Sequence, residues 1–264
     1  MLTSMSNSRI KHLISLRDKT KVRREEGLFI AEGIRIVREV PKEDLQELYY
    51  SEDFSEERPD CRYETLSTDV FKKVSDVGTP QGVLAVVKQH KFRPDDLIKG
   101  KDTMLLVLEN IQDPGNMGTM FRTAEAAGFT GIIMTDDCVD IYSPKVVRST
   151  MGAVFRVPFV ILEKDGMKDC LEDLKKRGVA IYAAALQGSV PYTEPDYAGG
   201  CAFLIGNEGN GLKAQTLGTV EDEGGRAVRI PMAGKTESLN AAVSAAILMY
   251  EAARQREFNG QRLK

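Results

Sequence analysis

Asp113-Pro114-Gly115-Asn116-Met117-Gly118 is followed closely by Arg122-Thr123-Ala124, directly behind an apolar run that ends at Leu108. Proline fixes its own φ, glycine admits positive φ, and asparagine tolerates left-handed backbone. A glycine-lined turn between strand and helix also leaves N–H groups facing outward, where an anion or polar ligand can sit. Two further loops repeat the pattern. Gly206-Asn207-Glu208-Gly209-Asn210-Gly211 follows Leu204-Ile205, and Ile230-Pro231-Met232-Ala233-Gly234 leads into Ser238-Leu239-Asn240.

Ile230, Met232 and Leu239 offer apolar walls for a flat base, and the glycines let backbone come close to it. Walls and amides suit an adenosine better than a diphosphate. Two phosphate-binding alternatives fail on spacing. The dinucleotide fingerprint G-x-G-x-x-G does not follow the first strand of this region, and Gly206 to Gly211 has the order G-x-x-G-x-G. Gly234-Lys235-Thr236 ends like a P-loop, but the required earlier glycine is Arg229, and Pro231 lacks an N–H inside the cradle. A nucleotide-hydrolysing enzyme built on it is the weaker alternative.

The chain has 264 residues, 42% hydrophobic and 28% charged, the profile of a globular protein with room for two domains. It contains two histidines, His12 and His90, neither in a glycine-rich turn, so a Ser-His-Asp triad or a His-ligated metal has little material. Chemistry here is expected to rest on positioning or on a cofactor that carries the reactive group. Cys61, Cys138, Cys170 and Cys201 lack C-x-x-C spacing and read as lone buried thiols, with no metal site. No apolar run is long enough to span a bilayer, and Met1 to Arg9 lacks a signal-peptide core, so a cytoplasmic protein is expected.

Net charge is −3, yet its distribution is polarised. Seven basic residues against one acid lie between Arg9 and Arg24, and eight acids against two bases between Pro41 and Asp60. A basic block can neutralise phosphates, and it can equally be a solvated helix face.

These loops need elements to hold them. Helical spacing appears at Ile10, Leu13 and Ile14, at Ile34 to Val40 and at Thr68 to Val74; Leu28-Phe29-Ile30, Leu48-Tyr49-Tyr50 and Gly82 to Val87 read as strands. Lys88 to Asp102, charged and carrying Pro94 and Gly100, reads as a linker. Beyond it strands are expected at Met104–Glu109, Gly131–Thr135, Val157–Leu162, Val179–Ala185, Ala202–Gly206 and Ala227–Pro231. Helices are expected at Asn116–Ala127, Pro144–Met151, Met167–Arg177 and Ser238–Gln255, with Ser143 capping ahead of Pro144. Alternation of this kind predicts an α/β fold with a mostly parallel sheet and helices on both faces, its ligands bound at the carboxyl ends of strands.

The blocks D-P-x-N-x-G-x-x-x-R-T-A, I-G-N-E-G-x-G-L and I-P-M-x-G-x-x-x-S-L-N-A, in that order, resemble the three motifs of the SpoU–TrmH class of SPOUT RNA methyltransferases. The likeness covers Met104 to Glu257. The basic block and Phe29-Ile30-Ala31-Glu32-Gly33 resemble that family's N-terminal, L30e-like substrate-binding domain. The resemblance implies domains at 1–97 and 103–264, a trefoil knot in the second, a homodimer, and methyl transfer from S-adenosylmethionine to a ribose 2′-hydroxyl of ribosomal RNA or transfer RNA. An alternative is a catalytically inactive RNA-binding protein.

The resemblance also implies roles. Ile230 and Leu239 map onto positions that hold the adenosyl group, and Gly206 onto one whose backbone lies against it. Asn207, Gly211 and Met232 are neighbours in the same motifs, and Ala185 and Leu186 end the preceding strand. Arg122 maps onto an essential arginine. Because a guanidinium stays protonated far above neutral pH, clamping RNA phosphate and orienting the hydroxyl is a better role for it than proton abstraction. Asn116 is expected to orient the first loop or contact the nucleotide, Glu208 to pair with Arg122 or steady the cofactor loop, Ser238 to contact ligand or cap the last helix, and Asn240 to lie beside them. Arg9, Lys11, Arg23 and Arg24 are the expected RNA contacts.

Overall fold

The computed structural model describes residues 1–58, 61–236 and 238–258, and the chain divides into two compact units. One comprises Met1–His90 with Asp140–Phe155, the other Lys91–Val139 with Arg156 onward.

The first unit opens with helices α1 (Ser8–Asp18) and α2 (Thr20–Glu26), then runs β1 (Leu28–Glu32), α3 (Ile34–Arg38), β2 (Leu45–Ser51), β3 (Glu64–Leu66), α4 (Thr68–Val74) and β4 (Val83–Lys88). The sheet order is β1-β4-β2-β3, with β4 antiparallel to both neighbours. Ile10, Leu13 and Leu16 recur along one side of α1 and are buried with Tyr49, Leu66, Phe71 and Leu84. Asn7 starts α1 by accepting the Arg9 N–H at 2.9 Å. β3 escapes the sequence because a three-residue strand is too short to show a period. Cys61 is exposed, contrary to the buried thiol expected, since it sits in the acidic surface loop ahead of β3.

The second unit contains α5 (Pro94–Leu97), β5 (Met104–Leu108), α6 (Pro114–Ala126) and β6 (Gly131–Met134). Helix α7 (Pro144–Thr150) belongs to the first unit. The second unit continues with β7 (Phe159–Ile161), α8 (Met167–Lys176), β8 (Ala180–Ala184), β9 (Val190–Pro191), β10 (Cys201–Ile205), α9 (Ala214–Asp222), β11 (Arg226–Arg229) and α10 (Ala241–Phe258). Seven strands form one sheet in the order β7-β6-β5-β10-β8-β11-β9, and every neighbouring pair is parallel. The central strands β5 and β10 are buried at every residue, as a sheet covered on both faces requires. On one face Leu105, Val107, Ile181 and Leu204 pack with Leu171 and Leu174 of α8 and Val220 of α9. Helix α10 contacts both α6 and β10.

Three details depart from expectation. The stretch read as a linker contains α5, whose Leu97 is buried so tightly against Gly131 that a Cβ there would lie 2.3 Å from it. Helix α9 was not foreseen because Gly218 and its threonines weaken the helical pattern. Ser143 precedes α7 but its hydroxyl makes no capping bond. Near the end of α10 the buried Arg256 donates to the carbonyls of Gly199 (2.6 Å), Asp102 (3.0 Å), Thr103 (3.1 Å) and Tyr197 (3.3 Å), tying the last helix to two loops.

Candidate active site at the carboxyl edge of the sheet

Strands β5, β10, β8 and β11 are consecutive in the sheet and parallel, so their carboxyl ends deliver four loops to one edge. This is where open α/β sheets bind ligands.

The first loop is shorter than the sequence suggests. Asp113 is the N-cap of α6 and its Oδ1 accepts the Asn116 N–H at 2.8 Å, with Pro114 at the first helical position. Residues 114–118 are therefore already helix, not turn. The left-handed residue is Asn110, at φ 54°, held where its N–H meets the Thr135 hydroxyl at 3.0 Å.

The second loop folds back on itself. Asn207 and Gly211 exchange backbone hydrogen bonds of 3.0 and 2.9 Å, and Asn207 Oδ1 accepts the N–H groups of Gly209 and Asn210. Gly206 is fixed by packing: a Cβ on it would lie 2.1 Å from the carbonyl carbon of Gly211. Asn207 Nδ2 donates to the Asn110 carbonyl at 2.9 Å, so this side chain staples the first two loops.

Three side chains then join all the motif loops. Asn116 Nδ2 donates to Glu208 Oε1 at 2.9 Å, and Asn240 Nδ2 donates to Asn116 Oδ1 at 2.9 Å. Asn240 Oδ1 in turn accepts the N–H groups of Ala242 (2.9 Å) and Val243 (3.2 Å). The directions follow from one fact: an ionised carboxylate only accepts. Asn116 must turn its amide toward Glu208, which leaves its oxygen for Asn240 and the Asn240 oxygen for α10. Asn240, not Ser238, thus caps the last helix; Ser238 is exposed, and its carbonyl accepts from the Thr236 hydroxyl at 3.2 Å.

Glu208 also accepts the N–H groups of Asp113 (3.2 Å) and Gln112 (3.3 Å). Burial pushes its carboxyl upward, but the Asn116 amide and these backbone donors outweigh it and hold it below its ordinary value. Its expected partner Arg122 is not among its contacts. Six positions on a helix place Arg122 roughly 9 Å along the axis from Asn116 and about a third of a turn round. Arg122 is exposed and has no hydrogen bond or ion pair among the described residues.

The cofactor candidates lie on loops that are tied together. Ala185 N–H donates to the Val228 carbonyl at 3.1 Å, and the Arg229 guanidinium donates to the Ser189 carbonyl. Leu186 is 62% exposed, and Ile230, Met232 and Leu239 are half-buried. Sequence reasoning missed Glu109, buried just after β5, which accepts from the Thr216 hydroxyl (2.6 Å) and the Lys213 N–H (2.8 Å) and so anchors α9. Its signal was a carboxylate ending a fully apolar strand.

In the first unit part of the basic block is spent. Arg23 is 3% exposed: it donates to the Asp140 carboxylate at 2.7 and 2.9 Å, to the carbonyls of Leu16 and Arg17, and to the Thr20 hydroxyl. This corrects its assignment as an RNA contact, because a guanidinium with every donor satisfied inside the fold has none left for phosphate. Arg9 pairs with Glu64 at 2.8 Å, while Lys11 and Arg24 are exposed.

Comparison with known proteins accords with this geometry. Residues 103–250 match the model of the SpoU rRNA Methylase family, and residues 7–85 that of the MRM3-like substrate binding domain. The chain is 33% identical over 254 residues to the 23S rRNA (guanosine(2553)-2′-O)-methyltransferase RlmP of Bacillus subtilis, covering 94% of this chain and 97% of that one. It superposes on the AdoMet complex of the SpoU methyltransferase AviRb from Streptomyces viridochromogenes with a TM-score of 0.82, at 28% identity over 95% of this chain and 98% of that one. An AdoMet-bound rRNA methyltransferase from Sinorhizobium meliloti gives 0.79, at 29% identity over 96% and 97%. With three motif loops converging on one sheet edge and a family model matched across more than half its length, the chain belongs to the SpoU rRNA methylase family.

Proposed function

We propose that this sheet edge binds S-adenosylmethionine and directs its methyl group to a ribose 2′-hydroxyl of ribosomal RNA. The chain is an S-adenosylmethionine-dependent RNA 2′-O-methyltransferase. The observation that carries the site is the Glu208–Asn116–Asn240 relay, which locks loops from three strands into one surface.

The residues fit the cofactor. Leu186, Ile230, Met232 and Leu239 are apolar side chains left partly exposed on the loops at this edge; in this reading they receive the flat base, with the backbone of Gly206 and Gly211. When bound, S-adenosylmethionine supplies an electrophilic methyl group on sulfonium sulfur. Arg122 clamps an RNA phosphate and aims the hydroxyl, a role that its unpartnered guanidinium supports. Ser238, exposed beside Leu239, contacts RNA or cofactor. Arg9, Lys11 and Arg24 add phosphate contacts from the first unit, Met1–His90 with Asp140–Phe155, which acts as the substrate-binding domain.

The enzyme works as a cytoplasmic homodimer. Val243 (47% exposed), the half-buried Ile247 and Tyr250 (49% exposed) recur along one side of α10, an apolar stripe that supports self-association. Among the described residues no helix is long and apolar enough to cross a membrane, and no group of side chains could hold a metal ion. Light scattering should give twice the chain mass; a stable monomer overturns the dimer.

The test is incubation with labelled methyl donor and bacterial ribosomal and transfer RNA, followed by mapping of alkali-resistant linkages. Label at one ribose of ribosomal RNA is expected. No transfer to any RNA, or label on a base, overturns the reading.

A further inference from the structure

We propose that a cavity in the first unit, bounded by the β1–α3 turn, the loop before β4 and the end of α7, receives one unpaired nucleotide of the RNA. This deepens the reading that the chain acts on RNA and rests on it. The cavity has a volume of about 290 Å³, at the small end of ligand pockets.

Met151 is the first indication. It stands just past the last residue of α7 at φ 51°, in the left-handed region where helices commonly place glycine. Any side chain there costs stability, because its Cβ crowds the following carbonyl oxygen. Met151 is nonetheless 40% exposed at the cavity mouth, so core packing does not explain it. An unbranched, polarisable thioether suits the face of a base.

The second indication is a set of donors without acceptors. Arg148 gives Nη2 to Asp76 at 2.6 Å, but its buried Nη1 has no hydrogen-bond partner among the described residues and lies 3.8 Å from Glu32. Glu32 is occupied by the Ser75 hydroxyl and the Asp76 N–H. Gln81 accepts the Ile34 N–H at 2.9 Å through Oε1, which leaves its amide donors for the cavity. Arg35 is exposed at the rim, with no ion pair among the described residues.

The occupant must therefore bring acceptors on a flat body together with negative charge. A nucleotide does both: base-edge acceptors meet the Gln81 amide, the base face meets Met151, and phosphate meets Arg35. The base is unpaired, because a duplex would already have used those edges.

Three variants of the full chain test this by filter binding of heat-denatured bacterial ribosomal RNA, with a blunt RNA duplex for comparison. Arg35→Gln removes the rim charge. Gln81→Glu keeps the acceptor for Ile34 and removes the outward donor. Met151→Gly relieves the backbone. Each should weaken binding of denatured RNA by about fivefold or more, and Arg35→Gln should lower the salt-dependence slope by about one. The KM for RNA should rise while S-adenosylmethionine affinity stays unchanged, and Met151→Gly should melt at or above the wild-type temperature. Lys42→Ala, an exposed charge elsewhere on the unit, controls for charge loss. Variants that bind and methylate like wild type overturn the site while leaving the methyltransferase reading intact. Equal weakening toward the duplex, or a lowered melting temperature for Met151→Gly, also overturns it. Weakened binding by variants of a wild type that transfers no methyl would keep the site and sink the activity. A wild type that binds no RNA brings down both.

Discussion

Asn240 donates its side-chain amide to the side-chain oxygen of Asn116 at 2.9 Å, across 124 positions of sequence. Through this bond the cap of the last helix and the first turn of α6 share one hydrogen-bond direction, set by the carboxylate of Glu208 at the far end. Orientation passes along the relay because each amide has one donor side and one acceptor side.

Asn116→Ala should leave Glu208 without its amide donor and Asn240 without an acceptor, at a cost of about 1–3 kcal/mol in chemical denaturation. Asn116→Asp should cost more, because it sets an acceptor against a carboxylate. The Asn116→Ala and Asn240→Ala effects should be non-additive by more than about 0.5 kcal/mol, as for neighbours in one network. Simple addition would show that the relay is not a unit.

Arg122→Ala should leave the melting temperature and S-adenosylmethionine affinity close to wild type, since the side chain is exposed and has no partner among the described residues. Methyl transfer should fall by about a hundredfold or more. Parallel loss of cofactor binding in calorimetry would assign Arg122 a structural role.

The relay makes acid sensitivity local. The Glu208 carboxyl is held below its ordinary 4.5 because, against burial, the Asn116 amide and loop N–H groups favour the charged form. A lowered folded-state value contributes stability that is fully present above 4.5 and is lost as pH falls through the lowered value. Wild type should therefore exceed Glu208→Gln in stability by a constant margin near neutral pH, and the margin should shrink in acid. Denaturation curves recorded across that range decide it; a margin that grows in acid would reverse the sign.

Arg256→Met should strand four carbonyls that now share one guanidinium. The expected loss is on the order of 3 kcal/mol, with Arg256→Lys recovering part of it. Stability unchanged in the Met variant would mean that packing alone holds α10.

The alternation of apolar runs with helical spacing was enough to read the parallel sheet, because β5 and β10 are apolar at nearly every residue and their loops carry glycine. Short elements were not legible: β3 and the two-residue β9 exist only because a neighbouring strand offers hydrogen bonds. The boundary of α6 also needed the structure, since Asp113 and Pro114 start a helix whose first turn is masked in sequence by the glycines after them.

Sequence by itself determined the α/β class, the three motif loops and the residue types at the strand ends, all of which are local properties. Only the tertiary structure decided which polar side chains meet. Arg23 and Arg24 are adjacent and chemically identical, yet Arg23 is buried against Asp140 and Arg24 faces solvent. Asn116 finds partners 92 and 124 positions away. A hydrogen bond is fixed by where two atoms lie once the sheet has closed, and no periodicity along the chain encodes that distance.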